Sequence, residues 1–314
     1  MRNNNVTIIG TGSYLPSRIV PNSEICENID TTTDWVEQKL GILERRMVDT
    51  ETTADLAYHA ALRALESANV DKEDLDLIMV VTSSPDQISP STACVLHNKL
   101  EIKRNTPSFD INAVCAGFVY AMSFASTLIS SGIYKKILIV ASETYSKHTD
   151  VNNRHCVFFG DGAGAVVLGP SEEGWMVSEI SSNGNGSGMT GFKMPLSGPF
   201  EMIGKEVWDQ AVKVLPESIK EVLTEANVLP EEIKMLIPHQ PSINILKIVA
   251  EEVGMPMDKV KTVMDKYGNI AGASIPIALD DAMKSNEIVY GDKILLSAVG
   301  AGWAWGSMLI QLNK

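Results

Sequence analysis

The sequence predicts an α/β protein made of two similar halves, stacked as five α/β/α/β/α layers. Three observations predict it. Strand-like and helix-like stretches alternate along the chain, a pattern that gives parallel sheets covered on both faces. The second half repeats the first, motif by motif. The length, 314 residues with 45% hydrophobic and 21% charged, suits one large body or two intimately joined halves with ample core.

Taken in order, strands are predicted at 6–10, 77–82, 108–111, 136–141, 164–168, 175–181, 235–238, 260–264, 293–298 and 307–312. Helices are predicted at 53–68, 91–100, 114–131, 203–226, 243–253 and 271–285. The glycine-dense segment 183–191 reads as a mobile loop. The repeat places the division at 170, with halves 1–170 and 171–314. Strand 77–82 finds its mate in 235–238, and Lys136-Ile137-Leu138-Ile139 finds its mate in Lys293-Ile294-Leu295-Leu296. Gly160-Asp161-Gly162-Ala163-Gly164 corresponds to Gly300-Ala301-Gly302-Trp303-Ala304-Trp305-Gly306. The strand–Cys115–helix unit corresponds to Val263-Met264-Asp265-Lys266-Tyr267-Gly268-Asn269 and the helix after it. Strand ends of both halves then meet at one place, where a site is expected.

Residues 111–134 carry no formal charge and are rich in small side chains. A stretch of that length is either a membrane span or a buried helix. Ser123, Ser126, Ser130 and Ser131 dilute its hydrophobicity and favour burial. Cys115 stands where a strand turns into this helix. There the helix dipole and unpaired N–H groups favour thiolate, and the same N–H groups suit a developing oxyanion. The other reading of Cys115 is a small buried hydrophobe.

Several classes are disfavoured. The four cysteines lie far apart with no CxxC pair, so reduced thiols in a cytoplasmic setting are expected, with neither disulfide framework nor zinc knuckle. A net charge of −13 makes nucleic acid and anionic membrane poor partners. No basic n-region followed by a long apolar run opens the chain, so no signal peptide is expected. No G-x-S-x-G occurs, and Gly160-Asp161-Gly162-Ala163-Gly164 precedes a strand, so neither a serine-hydrolase elbow nor a dinucleotide loop is expected.

Nearly the whole chain resembles the β-ketoacyl-acyl-carrier-protein synthase III family of the thiolase superfamily. The likeness is carried by Gly10-Thr11-Gly12-Ser13-Tyr14-Leu15-Pro16, Glu44-Arg45-Arg46, Ala113-Val114-Cys115-Ala116-Gly117-Phe118, Pro238-His239-Gln240, Tyr267-Gly268-Asn269 and Trp305-Gly306-Ser307, in that order and spacing. The resemblance implies a thiolase-like fold, a homodimer and a catalytic set of Cys115, His239 and Asn269. It implies that Cys115 takes an acyl group from acyl-CoA as a thioester. The N–H groups of Cys115 and Ala301, usually Gly in the family, would form the oxyanion hole. His239 and Asn269 would hold the carbonyl of a malonyl thioester, malonyl-ACP or malonyl-CoA, while carbon dioxide leaves. Coenzyme A would meet Trp35, Lys39, Arg154, Gly204 and Trp208, with adenine between Trp35 and Arg154. No cofactor would be permanently bound. Ser89 lies in a loop that caps the acyl pocket across the family's dimer interface, and a small residue there suggests room for a longer or branched acyl group.

The chain also departs from the pattern. Asp209, Asn244, Glu251 and Glu252 stand where basic residues commonly dock the acidic carrier, with Lys205, Lys213 and Lys247 nearby. These departures point to a specialised condensing enzyme, or an acyltransferase of a biosynthetic pathway, rather than the housekeeping initiator of fatty-acid synthesis; the rival readings are an acyltransferase that passes the acyl group from Cys115 to an oxygen or nitrogen nucleophile, and a non-catalytic partner subunit.

Overall fold

The computed structural model describes residues 5–184 and 186–313. Two central sheets carry the duplication. The first has the order Val6–Tyr14, Asp161–Pro170, Ile137–Thr144, Leu77–Val81, Ser108–Ile111. Its neighbours pair antiparallel, antiparallel, parallel, parallel. The second has the order Trp175–Ser182, Ala304–Gln311, Lys293–Gly300, Met235–Pro238, paired antiparallel, antiparallel, parallel. Both sheets are therefore mixed, where parallel ones were expected. The turn from Gly300 to Ala304 is far too short for a parallel crossover, which needs a dozen residues or more.

The predicted fifth strand of the second sheet, 260–264, does not form. Only Val260 bridges Leu236. The fully buried Gln240 side chain accepts from Val263 and Met264 N–H (2.9 and 3.2 Å), and the chain then enters the short helix Met264–Tyr267. A side-chain oxygen thus takes donors that a ladder would have used.

The five layers follow from three cores. Between the sheets lie the helices Gly117–Ser130 and Ser274–Lys284, with Phe118, Met122, Ala125, Ile275, Ala278 and Leu279 in one buried cluster. The helices Thr53–Ala68 and Thr92–Lys99 cover the outer face of the first sheet. Gly204–Ala226 and Ile243–Glu252 cover that of the second. Among the described residues no helix is long and apolar enough to cross a membrane. The uncharged stretch is a 14-residue helix whose small residues Ala121, Ala125 and Ser126 are fully buried.

Other elements lie where no regular structure was expected. They include the helix Thr33–Leu40, capped by Thr32 and ended by Gly41 at φ +81°, and the two-stranded pair Phe192–Lys193 with Glu201–Met202. The predicted mobile loop 183–191 contains the helix Gly186–Thr190; its position 185 lies outside the described residues. Asn183 and Trp303 exchange backbone hydrogen bonds (2.8 and 3.1 Å), which ties the segment to the turn at Ala301.

Candidate active site

Cys115 does not sit in the α-helix itself. It lies in a 3-10 turn, Val114–Ala116, ahead of the helix Gly117–Ser130. Val114 has φ +50°, a conformation that a β-branched residue rarely adopts and that stores strain of about 1–3 kcal/mol. The turn is braced by the end of the strand Lys293–Gly300. A Cβ on Gly300 would lie 2.7 Å from the Ala113 carbonyl oxygen and 3.0 Å from the Cys115 nitrogen, so only glycine lets the two backbones meet.

His239 follows the strand Met235–Pro238, and its N–H donates to Ser297 O (2.9 Å). Asn269 is placed by the other half of the chain. Its N–H donates to Phe158 O (2.9 Å) and its carbonyl accepts from Gly160 N–H (3.1 Å). A Cβ at Gly160 would lie 2.3 Å from Tyr267 O and would block this approach. The Asn269 side-chain oxygen accepts from Ala271 N–H (2.8 Å) and Ser274 Oγ (3.3 Å). That leaves the amide N–H groups to donate elsewhere. Gln240 donates to Pro238 O and Lys261 O (2.9 and 3.2 Å), so it knits the His239 turn to the segment leading to Asn269.

Electrostatics here overturn one expectation. The thiol of Cys115 is not acidified. Burial, then the nearby Glu143 carboxylate, push it up to about 12. Cys115 is only 9% exposed, and desolvation outweighs whatever the helix end contributes. Glu143 is fully buried, and burial raises it to about 7 despite bonds from Ser83 N–H (3.1 Å), Ser83 Oγ (3.0 Å) and Ser84 Oγ (2.5 Å). The Tyr145 hydroxyl meets Ser83 Oγ at 2.9 Å. His239 is 3% exposed, and burial lowers it to about 3, so the ring is neutral at ordinary pH. Its Nδ1 is buried with no hydrogen-bond partner among the described residues.

Cys115, His239, Asn269 and Ala301 line one cavity of about 530 Å³, and so do Trp35, Lys39, Gly204 and Trp208. Lys39, Gly204 and Trp208 are exposed. Arg154 does not line the cavity. Its guanidinium lies 4.2 Å from the centre of the Trp35 ring, so the two are already stacked on each other. An adenine cannot lie between them as they stand; it must part them. Ser89 is exposed in the loop after Leu77–Val81 and lies outside the cavity of its own chain. Tyr145, Phe159, Phe192 and Met202 also line the cavity. Sequence reasoning gave Tyr145, Phe192 and Met202 no role, because no repeating apolar pattern joins positions so far apart in the chain. Among the described residues no group of three or more His, Cys, Asp or Glu is placed to hold a metal ion.

A duplicated five-layered body, with a cysteine turn from one half facing an imidazole and an amide from the other, defines a thiolase-like condensing enzyme. Residues 109–184 match the model of 3-oxoacyl-[acyl-carrier-protein] synthase III, and residues 223–312 match that of its C-terminal region. A β-ketoacyl-[acyl-carrier-protein] synthase III of Clostridium acetobutylicum is 40% identical over 325 residues, covering 99% of this chain and 100% of that protein. The crystal structure of 3-oxoacyl-[acyl-carrier-protein] synthase III from Aquifex aeolicus VF5 superimposes with a TM-score of 0.94 at 39% identity, covering 98% of this chain and 99% of that one. The priming β-ketosynthase of the R1128 polyketide pathway does so with a TM-score of 0.90 at 31% identity, covering 98% and 96%. The chain belongs to the 3-oxoacyl-[acyl-carrier-protein] synthase III family, and it is a condensing acyltransferase.

Proposed function

We propose that the chain condenses an acyl group from acyl-CoA with a malonyl thioester carried by acyl carrier protein, the first step of building a fatty-acid-like chain. The observation that supports this best is the single cavity lined by Cys115, His239, Asn269 and Ala301. Cys115 sulfur attacks the acyl-CoA carbonyl; the carbon–sulfur bond to CoA breaks, and the thiol proton ends on the CoA sulfur. The N–H groups of Cys115 and Ala301 hold the transient oxyanion. A malonyl thioester then binds with its carbonyl toward His239 and Asn269. Carbon dioxide leaves, and its bonding electrons become an enolate stabilised by a neutral imidazole N–H and an amide N–H. The enolate carbon attacks the acyl–Cys115 carbonyl, and the sulfur departs as thiolate and regains a proton. A neutral His239 suits a donor to this enolate.

Trp35, Lys39, Gly204 and Trp208 carry the coenzyme A along the cavity, and Arg154 swings from Trp35 to admit adenine. Ser89 reaches an acyl pocket only if a second copy of the chain delivers it, so a homodimer belongs to this reading. Of the lysines near the carrier's docking face, Lys205 is paired with Asp209, while Lys213 and Lys247 are exposed and offer positive charge to the acidic carrier.

The test is carbon dioxide release and β-ketoacyl product from acetyl-CoA with malonyl-ACP, and separately with malonyl-CoA. His239→Ala is expected to lower condensation about 10²–10³-fold while Cys115 still acquires an acyl adduct. Acyl transfer to amines or alcohols without malonyl-dependent carbon dioxide release would replace condensation with simple acyl transfer.

A further inference from the structure

We infer that Arg45 is a positioning residue for Asn269: its buried guanidinium holds the segment 157–160 at the height where that segment seats the Asn269 backbone, and so sets where the Asn269 amide meets a malonyl carbonyl. The inference rests on the reading that Asn269 assists the loss of carbon dioxide. Arg45 is fully buried in the strand Glu44–Met47 and lines no part of the cavity. Its hydrogen-bond partners are all neutral. Nη1 donates to Val20 O (3.2 Å), and Nη2 donates to Asn22 Oδ1 and to Val157 O (both 2.9 Å). Nε is buried with no partner among the described residues. Burial lowers the group to about 10, which leaves it charged near neutral pH. A buried cation held only by neutral acceptors costs stability, and an apolar side chain of similar size would cost less there. What the guanidinium supplies is geometry: one rigid fork joins the strand Arg18–Pro21, Asn22 and the end of the turn Arg154–Val157.

The stem of the side chain completes the seat. A Cβ on Gly160 would lie 3.1 Å from the Arg45 Cβ, and one on Gly268 would lie 3.5 Å from it. These glycines belong to the two segments that meet at Asn269. Phe159 and Asn269 form a parallel bridge, Asn269 N–H donates to Phe158 O (2.9 Å), and Gly160 N–H donates to Asn269 O (3.1 Å). Arg45 therefore grips Val157, one residue before the Phe158 carbonyl, and packs against both partners of the junction. Close by, Leu43 N–H donates to Asp265 O (3.0 Å), so the same stretch of chain also holds the segment leading to Asn269. The Asn269 side-chain oxygen is committed to Ala271 N–H and Ser274 Oγ, so its amide follows its backbone. The other two groups rest elsewhere: His239 N–H donates to Ser297 O, and the Cys115 turn lies against Gly300. Loss of Arg45 thus moves one of the three groups and leaves two in place. A donor displaced by about 1 Å lowers a rate by about 10²-fold.

The experiment separates two half-reactions in the full chain: Cys115 adduct formation from saturating acetyl-CoA, read by intact mass, and carbon dioxide release from malonyl-ACP on the acetylated protein. Arg45→Met keeps an unbranched stem and removes the fork. It is expected to leave loading within about twofold and to slow carbon dioxide release about 10–100-fold. Arg45→Lys keeps the charge on a single donor head and should fall between the two. In an Asn269→Ala background, Arg45→Met should cost no further carbon dioxide release, because both changes act through one group. Equal losses in the two half-reactions, unchanged carbon dioxide release in Arg45→Met, or losses that multiply in the double variant overturn the inference and leave the role of Asn269 standing. Where Arg45→Met does not fold by near-ultraviolet circular dichroism, Arg45→Lys decides by the same comparisons. Unchanged carbon dioxide release in Asn269→Ala alone sinks the reading of Asn269 and the inference with it.

Discussion

The two halves place the same backbone turn beside each other, and only one of the two carries a cysteine. In the first, Ala113 (φ −134°, ψ 30°) leads into a 3-10 turn that begins with Val114 at φ +50° and runs into the helix Gly117–Ser130. In the second, Ile270 (φ −106°, ψ 37°) leads into a 3-10 turn that begins with Ala271 at φ +42° and runs into Ser274–Lys284. Ala116 N–H donates to Ala113 O at 3.1 Å, and Ala273 N–H donates to Ile270 O at 2.9 Å. Position for position, Cys115 answers to Gly272. A Cβ on Gly272 would lie 3.0 Å from Val81 Cγ1, 3.1 Å from Val114 O and 3.5 Å from Glu143 Oε1. The same strained turn thus serves two ends. One copy presents a sulfur to a cavity, and the other is stripped to backbone so that it can support the first.

The sharpest way to break the comparison is to make the first turn like the second. Cys115→Gly is expected to abolish acyl-adduct formation and to lower turnover at least about 10³-fold, read by mass spectrometry and product formation. Next, Gly272→Ala puts a methyl group against Val114 O and Val81. It should cost about 1–3 kcal/mol in denaturant unfolding and slow Cys115 loading, since Val114 must shift. A fully stable, fully active Gly272→Ala would show that the second turn does not brace the first.

The smallest expected effect tests the charge between the turns. Glu143 is raised to about 7 by burial, so above that pH it is charged and opposes thiolate formation at Cys115. Glu143→Gln removes that opposition. Iodoacetamide alkylation of Cys115 should then run severalfold faster above pH 8 and hardly change at pH 5, where Glu143 is already protonated. Stability follows the same sign. A carboxyl raised above its unfolded value contributes stability that is present at low pH and is lost as pH rises through about 7, so Glu143→Gln should gain on the unaltered protein at pH 8 and not at pH 5.

Much of this was legible in the chain. The repeat of Lys136-Ile137-Leu138-Ile139 in Lys293-Ile294-Leu295-Leu296 places matching strands at matching places in the two sheets. The family resemblance groups Cys115, His239, Asn269 and Ala301 into one site, and all four line one cavity. The fifth strand at 260–264 was misread because apolar residues alone do not reveal that Gln240 captures the N–H groups of Val263 and Met264. The helix Thr33–Leu40 was missed because only Val36 and Leu40 among its residues are buried, which leaves no apolar stripe to read. The stack of Arg154 on Trp35 joins segments far apart in sequence, so no local pattern announces it.

Sequence by itself determined most of the order of elements, the twofold repeat and the family resemblance from which reacting side chains are proposed, because those are carried by near-neighbour periodicity and short motifs. Tertiary structure alone decided the charge of the thiol and the shape of the space beyond it. A helix end favours thiolate, but its effect is local, whereas desolvation depends on every segment folded over Cys115. Glu143 from one strand and Phe192 and Phe200 from a remote hairpin reach that sulfur only in the folded chain.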